Sequence, residues 1–303
     1  MAEITLNDQY AAKFTGELDK LFAQAPVVGF LADNVLRSKF VGAKTVLIPE
    51  MNLSGLADYD RETGFTKGAV SISNKPFTLA MDRGRSFHLD REDEDETGIA
   101  NLAGQVMGEF VRTKVVPEVD AYCLSKLAGL AVTKSHTVTG TLASEVLKMI
   151  NTAAANVQNV VGFDEELVCF VNPTAWAAIQ NTPEISRSLS IGDFKKGGID
   201  TKVHMLNGMA ILPVSDSRMK TAYEFLDGKD NGEGGFTPAG TAKSIGLLVM
   251  PKKGASLVRK TEKIRIFAPD QNQAADAYKF DYRTYYDLII KNSVADAVYA
   301  YVY

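Results

Sequence analysis

The three histidines and two cysteines are the residues of this sequence whose side chains most readily support catalysis or metal binding. His88, His136 and His204 lie far apart and share no metal-ligand spacing, so we predict surface or hydrogen-bonded roles for them. Cys123 and Cys169 lie in apolar stretches and match neither a metal nor a redox spacing. We therefore expect two small buried thiols in a reducing compartment.

A glycine-rich stretch near residue 235 has the spacing of a phosphate-binding loop. Gly235 and Gly240 fit that loop, but Thr241-Ala242 follows where Lys-Ser/Thr is required. The sequence also contains no Gly-x-Ser-x-Gly nucleophile elbow. The two most readable signatures of phosphate-binding and acyl-transfer enzymes are therefore missing.

The acidic run of residues 90–97 resembles the opening of a calcium loop. Asp93, Asp95 and Gly98 have the required spacing, but Gly104 occupies the position of the bidentate glutamate. The favoured alternative is a solvated or salt-bridged helix start, because acidic residues suit the positive end of a helix dipole. The sequence thus predicts no catalytic residue, no bound metal and no cofactor.

Composition places the chain among ordinary globular proteins. It has 303 residues, 46% of them apolar and 23% charged. The formal net charge of −4 argues against a protein devoted to gripping nucleic acid, which would carry a basic excess. Residues 1–8 lack the segments of a secretion signal, and residues 245–250 are far too few to span a membrane. We expect synthesis in the cytoplasm and no membrane partner.

The first 90 residues predict two additions to a globular core. Apolar residues of 1–42 recur at helical spacing, but this segment has no core of its own. Residues 45–48 and 69–79 have strand-like character, and residues 51–68 between them are rich in Gly, Asp and Asn. We predict a long β-hairpin with an irregular charged tip. Such a ribbon is marginal alone in water, so something must cover it.

Residues 99–130 predict helix, because apolar residues recur at helical spacing on both sides of Pro117. A proline removes one helical hydrogen bond and crowds the preceding turn. Either one long kinked helix or two consecutive helices fits this pattern.

Residues 141–245 predict a compact α/β unit. Thr141 is a candidate helix N-cap, and Asn172-Pro173 opens another helix after a short buried strand. Asn207-Gly208 is a strong signal for a hairpin turn. The glycine-rich residues 226–241 predict a mobile loop.

The last 60 residues predict strands and include a basic stretch. Tyr278, Phe280 and Tyr282 alternate with charged residues, as in a half-buried antiparallel strand. Three interpretations of residues 252–265 stay open: a DNA-facing patch, a strand edge protected by charge, and a surface that pairs with the acidic run of a neighbouring subunit. The basic residues of this stretch are Lys252, Lys253, Arg259, Lys260, Lys263 and Arg265.

Several motifs follow one another along the chain in an order that is fairly specific. They are Tyr59-Asp60-Arg61-x-x-Gly64-Phe65, Asp82-Arg83-Gly84-Arg85-Ser86-Phe87-x-Leu89-Asp90, Phe110-x-Arg112-x-x-Val115-Val116-Pro117-Glu118-x-Asp120-Ala121-Tyr122, and Tyr282-Arg283-x-Tyr285-Tyr286-Asp287. In this order they resemble major capsid proteins of tailed bacteriophages, of the Hong Kong 97 type. The likeness covers nearly the whole chain.

The resemblance implies an α+β fold with four parts. Residues 1–42 would form an N-terminal arm, and residues 43–90 would form an extended hairpin, the E-loop, which in this family lies across an adjacent subunit. Residues 91–140 and 250–303 would form a peripheral domain with a long spine helix. Residues 141–249 would form an inserted axial α/β domain.

The resemblance also implies a function: a structural subunit, not an enzyme, that self-assembles into pentamers and hexamers enclosing a double-stranded DNA genome. The implied partners are other copies, a separate scaffolding protein, a portal and non-specifically contacted DNA, with assembly in the bacterial host cytoplasm and the virion capsid as final location. The expected subunit-interface residues are Tyr59, Asp60, Arg61, Phe65, Lys67, Glu94, Asp95, Arg259, Lys260 and Arg265.

Two rival interpretations accompany this one. An encapsulin, a bacterial nanocompartment shell protein, would have the same fold but would enclose cargo enzymes. An α/β enzyme centred on residues 141–245 is the second, and the missing nucleophile, metal and phosphate signatures argue against it.

Overall fold

The computed structural model describes residues 26–32, 40–41, 44–90, 102–182, 189–196, 199–229, 233–261, 265–267, 271–272 and 275–303. Its few helices and many strands confirm the predicted α+β class. The α-helices are α1 (Leu102–Phe110), α2 (Val116–Thr133), α3 (Leu142–Val161) and α4 (Pro173–Asn181). The strands are β1 (Thr45–Leu53), β2 (Val70–Thr78), β3 (Met81–Asp90), β4 (Leu167–Val171), β5 (Ser190–Lys196), β6 (Ile199–Leu206), β7 (Met209–Pro213), β8 (Tyr223–Asp227), β9 (Gly234–Pro238), β10 (Ile245–Pro251), β11 (Ala255–Thr261), β12 (Arg265–Phe267), β13 (Ala277–Ile290) and β14 (Tyr299–Val302).

A six-stranded sheet has the order β14-β10-β4-β7-β6-β5. Its central strand β4 is apolar throughout because both of its faces are buried. Val168 and Phe170 face a core that includes α2, whereas Cys169 and Val171 face a second core that includes α3 and α4. The sheet is therefore covered on both sides, as predicted for the buried strand at this position.

One turn and one helix start in this region follow their sequence signals, and a second helix start differs in detail. Asn207 and Gly208 have φ of 51° and 80°, as the tight β6–β7 turn requires. Asn172 caps α4, since its side chain accepts a hydrogen bond from the Ala175 N–H at 2.8 Å. Thr141 is the residue before α3, but its side chain makes no capping bond, and its own N–H donates to Glu145 Oε2 instead.

A second sheet is built on β13, a 14-residue strand. β11 and β12 pair with parts of β13, and β3 pairs with it from residue 277 to residue 286. Residues 288–290 continue β13 without a break. β3 ends the segment 43–90 yet belongs to this sheet, and β14 lies in the six-stranded sheet although it ends the segment 250–303.

The helix that contains Pro117 is continuous. α1 passes into a π-helical turn, Val111–Val115, and then into α2. The N–H of Val116 donates to the carbonyl of Val111, five residues back, in the wider π geometry. The turn ends two residues before Pro117, in the region where a proline disturbs the α-helical hydrogen bonds. Of the two alternatives left open by the sequence, the single long helix is present.

α2 lies between the two sheets. Its buried residues Val119, Leu124 and Leu127 share one core cluster with Phe170 of the six-stranded sheet and Tyr286 of the four-stranded sheet. The fully buried side chains at this junction hold both sheets against one helix. The segments 91–140, 141–249 and 250–303 therefore share a core.

The prediction of a mobile loop over residues 226–241 is wrong for much of its length. β8 and β9 pair as an antiparallel hairpin, from Tyr223 opposite Pro238 to Asp227 opposite Gly234. Arg83 donates hydrogen bonds to the carbonyls of Leu226 and Gly235, which fixes the hairpin against the rest of the chain. A high glycine content predicted irregular structure, but this tertiary contact overrides it.

Candidate assembly surface

The hairpin formed by β1 and β2 is regular from Thr45 opposite Thr78 to Leu53 opposite Val70. Beyond the strands, the Ser54 N–H donates to the Ala69 carbonyl at 3.0 Å, and the Ala69 N–H donates to Ser54 Oγ at 2.8 Å. The predicted long hairpin is confirmed, and its ladder reaches toward the tip.

The tip of the hairpin, residues 55–68, contains an ordered turn. The N–H of Gly64 donates to the Asp60 carbonyl at 2.8 Å, and Asp60 Oδ1 accepts from the Glu62 N–H at 2.8 Å. The pKa of Asp60 is held below its usual range, mainly by the hydrogen bond from the Glu62 N–H and then by one from the Thr63 side chain. Asp60 therefore shapes the turn through its own side chain.

Tyr59 and Phe65 flank this turn and pack edge to face, with ring centroids 4.9 Å apart. Both rings face solvent, and the Phe65 side chain is 88% exposed. The hairpin carries further exposed apolar side chains on both strands and before the turn, namely Met51, Leu53, Leu56, Val70 and Ile72. Met51 lies opposite Ile72 and Leu53 opposite Val70, and exposed apolar side chains grouped in this way make the hairpin a candidate interaction site.

The base of the hairpin is covered. Val46 and Leu79 are buried in a cluster with Val258, Tyr285 and Ile289 of the four-stranded sheet. These contacts join β1 and the end of the hairpin to β11 and β13. The hairpin is thus packed at one end and exposed at the other.

A buried carboxylate fixes the turn that follows the hairpin. Asp287, 2% exposed, accepts hydrogen bonds from the Ala80 N–H at 3.1 Å, the Tyr122 hydroxyl at 2.7 Å and Lys126 Nζ. Lys126 also lies 5.7 Å from the ring centroid of Phe77 in β2. The pKa of Tyr122 is raised above its usual range, mainly by burial and to a smaller extent by the hydrogen bond to Asp287. Helix α2 is therefore bound to Asp287 of β13, which holds the turn after the hairpin, and contacts the hairpin itself through Lys126 and Phe77.

A second charge cluster lies beside the first strand. Asp82 forms ion pairs with Lys44 and with Arg283, which approaches it through two nitrogens at 3.0 Å. Both cations also lie against the Tyr285 ring. The hydrogen bond from Arg283, opposed by burial and reinforced by Lys44, lowers the pKa of Asp82. The residue just before β1 is thereby tied to β3 and β13.

The short 3₁₀ segment Val27–Leu31 is held by another buried carboxylate. Asp120 of α2 accepts from the N–H groups of Val27 and Val28, each at 3.1 Å, and from Arg218 at 3.0 Å. Burial raises the pKa of Asp120, and these three donors oppose that effect. This part of the predicted arm is anchored to the subunit.

The expected interface residues fall into three groups. Tyr59, Asp60, Arg61, Phe65 and Lys67 lie together at the exposed tip. Arg61 and Lys67 have no acidic partner among the residues that the structure describes. Glu94 and Asp95 lie outside the described residues.

The third group lies on the four-stranded sheet and is not one exposed patch. Arg259 is buried in β11, so a single chain does not present it to a partner. Lys260 is half-buried, with Nζ 5.3 Å from the centroid of the Phe40 ring. Arg265 is exposed in β12, and Lys252 is paired with Glu166. The basic stretch is therefore divided among different environments.

Sequence reasoning missed Lys126, Asp287 and Asp120 as positioning residues. A signal existed for the two acids, because each interrupts an otherwise apolar run on a buried element. An acid at such a position requires a partner. Nothing in the sequence identifies that partner, since Lys126 and Asp287 are 161 positions apart.

A cavity of about 300 Å³ lies between the π-helical turn and the β8–β9 hairpin. Arg83 forms one side of the cavity, and its Nε donates to Glu118 Oε1 at 2.8 Å. The Tyr286 hydroxyl donates to the same oxygen at 3.0 Å. Thr284 also lines the cavity; it is 1% exposed, and its hydroxyl has no hydrogen-bond partner among the described residues. The cavity walls include four aromatic rings, those of Phe87, Phe110, Tyr282 and Tyr286.

The residues first tested for chemistry are dispersed. His88 is exposed, His136 stacks on Tyr299 and His204 lies against Trp176. Burial raises the pKa of the Cys123 and Cys169 thiols, the latter to about 12. In the described ranges, no group of three or more histidine, cysteine or acidic side chains is placed to hold a metal. No helix among those same residues is long and apolar enough to cross a membrane.

Solved structures provide the comparison with known proteins, since no protein-family model and no curated protein matches the sequence. The capsid of the cyanophage P-SCSP1u is 14% identical, covers 87% of this chain and 84% of its own, and has a TM-score of 0.57. The mature capsid of bacteriophage PhiM1 is 13% identical over 87% and 83%, with a TM-score of 0.54. A chain of Gordonia phage Cozz is 11% identical over 92% and 86%, with a TM-score of 0.60. At such identities the likeness establishes the fold, and this chain has the phage major capsid protein fold.

Proposed function

We propose that this chain is the structural subunit of a bacteriophage icosahedral capsid. In this proposal, copies assemble into pentamers and hexamers that enclose a double-stranded DNA genome. The chain is a building unit without an active site. The fold supports this proposal, and so do the dispersed histidines and buried thiols described above.

The β1–β2 hairpin is the observation that carries the proposal. Seven consecutive residues of β2, from Val70 to Pro76, are exposed, and apolar side chains of both strands face water. A two-stranded ribbon is at best marginally stable by itself, and its unpaired edges invite further contacts. A hairpin anchored at its base and uncovered along its length needs another molecule to cover it. A second copy of the chain meets that need in a shell.

The parts of the fold take the roles implied by the resemblance, with adjusted bounds. The E-loop corresponds to residues 44–78, and β3 joins α1, α2 and β11–β13 in the peripheral domain. The six-stranded sheet with α3 and α4 corresponds to the axial domain, which then includes β14. The spine helix corresponds to α1, the π-helical turn and α2.

Other partners belong to the same proposal. A separate scaffolding protein guides assembly in the bacterial host cytoplasm, a portal occupies one vertex, and DNA is contacted without sequence specificity. The mild net charge of −4 suits packaging without tight, sequence-specific binding. The final location is the virion capsid.

Electron microscopy and sedimentation of the protein co-expressed with its scaffold test this function. We expect closed particles of uniform size that sediment far ahead of the monomer. A chain that stays a compact monomer with its scaffold present would contradict the proposal. Particles that contain cargo protein and protect no DNA from nuclease would favour the encapsulin alternative.

A further inference from the structure

We propose that the β1–β2 hairpin uses its two faces for different purposes, and that the apolar face near the tip lies against a second copy of this chain. The inference rests on the proposed function, because it needs copies that meet in a shell. It goes further by naming which face of the ribbon makes the contact and which residues that face contains.

The register of the hairpin assigns each residue to one face of the ribbon. Residues directly opposite each other in an antiparallel pair share a face, and successive residues along a strand alternate between faces. The register runs without a bulge, so this alternation holds along the whole ribbon. One face, the inward face, contains the opposed residues Val46 and Phe77. The other, the outward face, contains two opposed pairs near the tip, Met51 with Ile72 and Leu53 with Val70.

The inward face changes character along the ribbon. At the base it is apolar and packs on its own subunit, since Val46 is buried in the cluster shared with the four-stranded sheet and Phe77 packs against that cluster. Toward the tip the same face becomes polar on β2, where it presents the exposed residues Ser71, Ser73 and Lys75. The inward face is therefore suited to its own subunit at the base and to water nearer the tip.

The outward face has the opposite character near the tip. Its apolar residues there are each between 63% and 72% exposed, namely Met51, Leu53, Val70 and Ile72. A ribbon with apolar residues on one face and polar residues on the other is typical of a structure that buries only the apolar face. The four-stranded sheet packs on the inward face, so the outward face points away from that sheet and is available to another molecule.

The size of the outward face favours a second copy in an assembly over a stable partner of the free subunit. Residues 49–53 paired with residues 70–74, at about 3.3 Å per residue and about 4.8 Å per strand, give a face on the order of 150 Å². A stable complex of two proteins buries about 800 Å² on each side. The contact is therefore too small to act alone, whereas neighbouring copies in a shell make it together with their other contacts.

Aspartate substitutions at adjacent positions of β2 test which face makes the contact. Ile72→Asp places a charge on the outward face, and the matched control Ser73→Asp places the same charge on the inward face. Both residues are exposed, so both unassembled variants should unfold close to the wild-type urea concentration. Ile72→Asp should reduce the yield of particles at least about tenfold, because a charge without a partner would be buried against the second copy. Ser73→Asp should stay within about twofold of wild type.

Photochemical cross-linking inside particles identifies the molecule that covers the outward face. The particles are assembled from a labelled chain with an excess of wild-type chain, so that the label does not block assembly. A benzophenone amino acid in place of Ile72 should join two copies of this chain on irradiation, and the same amino acid in place of Ser73 should give little product. A product that joins the chain to the scaffold, or stronger cross-linking from position 73, would overturn the inference.

The failures of this inference and of the proposed function are distinguishable. Equal particle yields from Ile72→Asp and Ser73→Asp, with wild-type particles forming normally, would overturn the inference and leave the function standing. So would a lower urea midpoint of unassembled Ile72→Asp alone, because that result would mean that another part of the same chain covers the outward face. A wild-type chain that never forms particles would overturn both.

Discussion

The base and the tip of the β1–β2 hairpin differ in how their apolar side chains are covered. At the base, Val46 and Leu79 are buried against the four-stranded sheet, and Asp287 holds the turn that follows. At the tip, Tyr59 and Phe65 pack on each other and face water. The subunit thus fixes where the hairpin begins and leaves its surface for another molecule.

Two leucine-to-alanine changes should separate folding from assembly. Leu124 in α2 is 0% exposed, whereas Leu56 before the tip turn is fully exposed. We expect Leu124→Ala to lower the free energy of unfolding by about 2–5 kcal/mol, because it leaves a cavity in the core. Leu56→Ala should change it by less than about 0.5 kcal/mol and act on particle yield. Urea unfolding of unassembled protein measures both, and equal effects would break the comparison.

Removal of the Asp287 carboxylate should have the next largest effect on the subunit. Asp287→Ala leaves the Ala80 N–H and the Tyr122 hydroxyl without their acceptor, which we expect to cost about 3 kcal/mol. Asp281→Ala is the matched control in the same strand, since among the described residues its carboxylate pairs with Lys279 at 3.7 Å and both side chains are partly exposed. Chemical denaturation measures both variants. A loss at Asp287 no larger than at Asp281 would mean that the buried carboxylate does not fix the base.

The Asp82 cluster should give the hairpin base a dependence on pH. In the folded chain the pKa of Asp82 lies below the ordinary value of 3.8, so the folded state binds fewer protons than the unfolded state. The stabilisation is therefore present above about pH 4 and lost as the pH falls through the folded-state pKa. Asp82→Asn should be about 1 kcal/mol less stable than wild type near neutral pH, and this difference should shrink in acid. A difference that grows on acidification would contradict the assignment.

Arg61→Ala should have the smallest effect on the subunit. Arg61 is exposed, so the free energy of unfolding should change by less than about 0.5 kcal/mol. If Arg61 binds a carboxylate of a second copy, its loss should weaken assembly at low salt, and the difference from wild type should narrow as salt screens the pair. Light scattering at two ionic strengths, with Lys67→Ala as a neighbouring control, measures this effect.

Sequence patterns sufficed for the hairpin because its signals are local. The β-branched and apolar residues 45–48, the rough alternation of residues 69–79 and the Gly- and Asp-rich stretch between them predicted a hairpin, whereas the ordered turn at its tip was not predicted. The helix around Pro117 was predicted too, although the π-helical turn that accommodates the proline could not be derived from spacing.

Long-range pairing is what the sequence did not reveal. β3 pairs with β13, and β14 pairs with β10 of the six-stranded sheet. The partner strands lie far apart along the chain, so no local sequence pattern predicts which strands pair. The β8–β9 hairpin was missed for the same reason, since Arg83 fixes it from a distant strand. At the candidate site, the exposed residues of the tip were predicted, whereas the ion pair of Lys126 with Asp287 was not.

Replacement of residues 55–68 by a short Gly-Ser linker tests the central claim most directly. The tip makes no contact with the buried core clusters, so the variant should stay soluble and melt close to the wild-type temperature. Shell formation with the scaffold present should nevertheless stop, as observed by electron microscopy and sedimentation. A variant that unfolds, or one that forms shells normally, would contradict the account that the tip joins one subunit to the next.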